Sequence, residues 1–142
     1  MSKKSAKIAA LIDNCRGKDL DPHYLGYFEC FNQQLFYEAH DVLEELWLSQ
    51  RHQPNDKFFK GLIQLAGAFV HLQKNRLKPA AALFKLARTN IATYPTLHER
   101  LDTIFVLMLI EEWLGGLEKT NFAENPLTPS RTPLLVLVEK VG

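Results

Sequence analysis

Cysteine is scarce. Cys15 and Cys30 are the only two in 142 residues and form no C-x-x-C unit, which excludes a disulfide framework and a thiolate zinc site and leaves both as reduced core thiols. An excess of either charge is also missing. Seventeen Lys and Arg stand against 16 Asp and Glu, a formal net charge of +1, so no global field draws the chain to nucleic acid or to a membrane surface. The basic cluster from Lys74 to Lys78 reads as a solvated helix end, because phosphate sites need basic density over a whole face. The longest apolar run, Ile104 to Ile110, falls far below the ~18 residues of a membrane span. Lys3, Lys4 and Lys7 precede only a short apolar stretch, Ile8 to Ile12, too little for the h-region of a signal peptide. A cytoplasmic setting is the expectation. No G-x-S-x-G, glycine-rich phosphate loop or H-E-x-x-H stands anywhere in the chain.

What is present is helical periodicity. The chain is 46% hydrophobic, enough for one core, and residues 1–142 are expected to form a single domain. Ile8, Leu11, Ile12 and Cys15 recur at i, i+3, i+4 and i+7, with Gly17 placed as a C-terminal cap. Tyr24 to Asn32 forms a second helix, a break follows at Asn32-Gln33-Gln34, and a third helix runs from about Phe36 to Gln50. The Gln53 to Asp56 loop leads to a helix from about Lys57 to Lys74, with Asp56 as its candidate cap. Pro79 suits the first turn of the next helix, Ala80 to about Thr93. A last helix begins between Thr96 and Asp102 and stops at Gly115-Gly116. Pro126, Pro129 and Pro133 make the tail, from about residue 118, extended, lying across the bundle or against a second subunit. The class is therefore all-α: an antiparallel bundle of about five to six helices with a Pro-rich extended tail. Asn32 and Asn75, each seven residues before an alanine, add a faint internal echo at a period of about 43.

One segment carries candidate chemistry. On a helix, His40, Glu44 and Trp47 share a narrow arc with Phe36 and Leu43, so two polar groups interrupt an apolar stripe. The short loop makes this helix antiparallel to the next. Counting outward from it sets Glu44 opposite Gln64, His40 opposite Ala68 and Tyr37 opposite His71. The expected cluster is His40, Glu44, Gln64, His71, Tyr37 and Trp47, with Gly61, Gly67 and Ala68 making room. His23, His52 and His98 fall in turns or helix ends and read as solvated, and Glu111-Glu112-Trp113 reads as a helix surface beside a core tryptophan.

Three readings of the cluster stand side by side. In a structural one, His40 donates to Glu44, Gln64 completes the network, and the network fixes helix register. In a metal one, His40, Glu44 and His71 ligate a divalent ion, whose open position would serve a metal-dependent hydrolase. In a third, Phe36, Tyr37 and Trp47 supply apolar contact for a small-molecule ligand or a protein partner, anchored by the polar pair.

The segments Phe31-Asn32, Phe36 to His40, Glu44 to Trp47, Gly61 to Ala66 and His71 are similar to the prokaryotic family called domain of unknown function 309. The resemblance covers about Tyr27 to Tyr94, on an H-x-x-x-E-x-x-W pattern and a G-x-x-Q pattern. It implies a small all-helical fold and a motif associated with metal binding, without an established activity. Members of that family often carry glycine in the turn before the aromatic pair, where this chain has Gln34. A homodimer is expected from the apolar tail and from the general behaviour of small helical proteins.

Overall fold

The computed structural model describes residues 6–139; Lys3 and Lys4, and the last three residues of the tail, lie outside them. The order is α1 (Ala6–Asn14), α2 (Pro22–Asn32), α3 (Phe36–Ser49), α4 (Asp56–Gln73), α5 (Leu77–Ile91), β1 (Leu97–His98), β2 (Leu101–Asp102) and α6 (Thr103–Lys119). This is the expected all-α bundle, with successive helices packed as neighbours.

Local chemistry explains most boundaries. Asp21 caps α2 by accepting the His23 N–H at 2.8 Å, and Pro22 takes the first helical position, where no N–H is needed. The α2–α3 and α4–α5 turns close identically. Gln34 and Leu35 donate back to the carbonyls of Phe31 and Cys30, and Asn75 and Arg76 to those of Leu72 and His71. Gln34 and Asn75 sit at φ 64° and 56°, the left-handed residue that ends such a helix. The two helical hairpins are thus equivalent, with Gln34 matching Asn75, two residues off the alignment that pairs Asn32 with Asn75.

Three expectations are corrected. Gly115 and Gly116 do not stop α6, which runs on to Lys119 because Leu117 is fully buried and anchors its last turn. A Cβ on Gly116 would lie 3.3 Å from Pro126, so that glycine serves the close approach of the tail. Asp56 is not the N-cap of α4; it opens the helix, and its carboxylate faces back into the preceding loop. A two-stranded hairpin at residues 97–102, too short for a period-two signal, was not expected from the sequence.

The core centres on Phe69, whose ring lies 5.0 to 5.5 Å from those of Phe31, Phe36, Phe84 and Trp113, drawing α2, α3, α5 and α6 onto α4. The tail lies across its own bundle. Asn32 grips it with both ends of its amide, donating to the Leu135 carbonyl at 2.7 Å and accepting the Leu135 N–H at 2.8 Å. Arg100 holds Val138 through its guanidinium and its carbonyl, each at 2.7 Å. The Arg131 guanidinium lies 4.7 Å over the Trp113 ring. No helix among the described residues is long and apolar enough to cross a membrane.

Candidate functional site

Helices α3 and α4 run antiparallel with residue numbers summing close to the expected value. Gln73 donates to the Gln34 carbonyl at 3.0 Å, and a Cβ on Gly67 would come within 4.0 Å of His40 Cδ2. The register read from the sequence is therefore correct. The directions in which the side chains leave that register are not all as expected.

His40 and Glu44 project from the open side of α3. Their side chains are 33% and 43% exposed, and His40 Nε2 lies 4.0 Å from Glu44 Oε2, too far for a hydrogen bond. The exposed Tyr37 ring lies nearly parallel to the His40 ring with centroids 6.4 Å apart. Gly67 forms the floor beside them, where a Cβ would meet Leu83 Cδ1 of α5 at 3.2 Å. His71 follows one turn along α4. Its imidazole is held below the ordinary value of 6.5, by burial first and then by the charges of Arg76 and Lys74. It is therefore neutral near pH 7.

The other expected members point elsewhere. Trp47 Nε1 donates to Asp56 Oδ1 at 2.7 Å, and Asp56 also accepts the His52 N–H at 2.8 Å, so the indole braces the α3–α4 loop. These two donors, the backbone one first, hold the Asp56 carboxyl below the usual carboxylate range. Gln64 turns away from Glu44 and accepts from Asn90 Nδ2 of α5 at 2.8 Å. Gly61 faces α5 as well, since a Cβ there would lie 2.8 Å from Ile91 Cγ1. Phe36 and Ala68 are fully buried core residues. His98 is not merely solvated: its Nε2 lies 2.7 Å from Asn55 Oδ1 and its ring meets Phe58 edge to face. His23 reaches Glu45 at 3.1 Å. Asn90 and Leu83 were missed, although Asn90 is legible as the polar interruption of the Leu83, Ala87, Ile91 side of α5.

The arrangement does not fit a metal centre. Among the described residues no three His, Cys, Asp or Glu side chains gather as a ligand set. The Nδ1 atoms of His40 and His71 are moreover buried without a hydrogen-bond partner. A ligating imidazole hands its second N–H to an acceptor, and here that N–H would be buried with none. The opposite tautomer suits His40 better: with its proton on Nε2, the ring presents a donor rather than a lone pair toward the Glu44 carboxylate.

Comparison with known proteins places this helical segment. Residues 24–83, from α2 into α5, match the family described as Domain of unknown function (DUF309). An 86-residue stretch is 29% identical to an uncharacterized protein of Aquifex aeolicus (strain VF5), covering 61% of this chain and 26% of that protein. The chain thus spans about a quarter of the length of the curated relative it matches. No solved structure matches the chain.

Proposed function

We propose that this chain, whose residues 24–83 match the DUF309 family, is a binding module that receives its ligand on the open α3–α4 face. The observation that carries the reading is the placing of His40 Nε2 beside the Glu44 carboxylate, 4.0 Å apart and partly open to solvent, where an Nε2 proton would make the ring a donor. A donor and an acceptor so spaced match an amide or peptide edge, which carries one C=O and one N–H. Tyr37 flanks the pair with apolar surface, and Gly67, lacking a Cβ, lets Leu83 of α5 close in beside it. The relative's length is in keeping with a module, since the matched stretch is a minor part of a longer protein.

The competing readings make different demands. A register-fixing network needs the His40–Glu44 hydrogen bond and a Gln64 contact, and the first is too long while Gln64 is engaged with Asn90. A metal-dependent hydrolase needs a third ligand and the other imidazole tautomer. His40→Ala is expected to cost less than about 1 kcal/mol in denaturant unfolding, because the side chain is partly open to solvent and makes no close hydrogen bond. In NMR titrations with N-acetyl amino-acid amides, shifts are expected on His40, Glu44, Gly67 and His71 and are expected to vanish in His40→Ala. Stoichiometric zinc binding abolished by His40→Ala would favour the metal reading. A stability loss of several kcal/mol would favour the structural one.

A further inference from the structure

A second surface lies away from this site, along α6 and the tail. Ile104, Phe105, Met108, Leu134 and Val136 are 46%, 49%, 65%, 56% and 74% exposed. The first four line two concavities that share Met108, and Val136 follows Leu134 along the tail. Phe105, Met108 and Leu134 line one concavity of about 350 Å³ with Pro133 and Trp113, and Met108 continues into a shallower one with Ile104 and Leu107. The tail returns along α6, from Arg131 beside Glu112 to Val138 beside Arg100, with Leu135 turned in and Leu134 and Val136 turned out. That alternation is the period of extended chain.

The geometry points to a second copy of this chain as the occupant, tail laid antiparallel to tail across a two-fold axis. Three observations favour it. The first is apolar exposure: five large hydrophobic side chains, 46% to 74% exposed, stand along α6 and the tail, and a two-fold contact covers each of them in both copies. The second is charge. The rim acids Glu111 and Glu112 are already paired with Arg88 at 2.6 Å and Arg131 at 3.2 Å, so superposing the patch on its copy brings no net like charge together. A partner of opposite charge would find nothing to read there.

The third is the backbone. Among the described residues the N–H and C=O groups of Leu134 and Val136 take no hydrogen-bond partner, whereas those of Leu135 are held by Asn32. The outer edge of the tail is therefore a short template for strand pairing at Leu134 and Val136, ending at Val138, whose N–H and C=O Arg100 already holds. Antiparallel pairing with an identical edge matches donors to acceptors and apolar side chains to apolar side chains, as an isologous interface requires.

Sedimentation equilibrium at high micromolar concentration tests this directly. The wild-type chain is expected to be dimeric, and Met108→Glu or Val136→Glu to raise the dimer dissociation constant at least about tenfold with an unchanged circular dichroism spectrum. Leu86→Glu, at a 51% exposed position on α5, is expected to leave dimerisation intact. Hydrogen exchange at the Leu134 and Val136 amides is expected to slow as concentration rises. A monomer throughout, a dimer indifferent to both patch variants, or freely exchanging amides in the dimer would each overturn the proposal.

Discussion

At the scale of single residues, His71 shows how a small environment sets a charge. Burial, helped by Arg76 and Lys74, keeps its imidazole below 6.5 in the folded state, so the folded chain resists a proton that the unfolded chain accepts. The sign follows from proton counting. Between the folded value and the ordinary one, the unfolded state binds more protons, so this contribution is complete above about pH 6.5 and is lost as pH falls through the folded value. Wild type is therefore expected to lose more stability than His71→Gln between about pH 7 and about pH 5 in paired urea melts. Equal losses would remove His71 as the cause. The two thiols behave conversely: burial pushes Cys15 up and Cys30 up to about 11, which keeps both protonated and unreactive.

At the scale of elements, the α2–α3 turn carries a local cost. Gln34 occupies the left-handed position at φ 64°, a conformation that an L side chain adopts at the expense of close contact between its Cβ and the backbone. Its equivalent, Asn75, has a residue type that tolerates the region better. Glycine is what the geometry asks for. Gln34→Gly is accordingly expected to raise stability by about 0.5 to 1 kcal/mol in chemical denaturation, with the α3–α4 site unaltered. A destabilised variant would show that the side chain makes a compensating contact. The break at residues 32–34 and the helix periods flanking it were legible in the sequence, because turn propensity and apolar spacing are local properties. The matched hairpins were visible only as a misaligned echo, since equivalence lies in the hydrogen bonds of the turns and not in residue identities.

At the scale of the molecule, the tail depends on one amide. Asn32 satisfies both backbone groups of Leu135, a fully buried residue more than a hundred positions away in sequence. Asn32→Ala would leave that N–H and C=O without partners, and is expected to cost about 1 to 3 kcal/mol and to speed proteolysis of residues 132–139. Cleavage at the wild-type rate would mean that Arg100 and the buried Leu135 side chain suffice to hold the segment. The same tail carries half of the proposed self-association surface, so this variant is also expected to weaken the dimer.

The sequence by itself determined the helices, their turns, the all-α class and the level at which α3 meets α4, because each follows from a period of 3.6 residues and the length of a loop. It also placed His40 and Glu44 on one face of one helix. Only the tertiary structure decided that Gln64 and Gly61 serve α5, that Trp47 braces a loop, and that the tail crosses its own bundle. A residue lying between two neighbouring helices has a partner on either side, and the third helix, invisible to any local pattern, settles which one it takes.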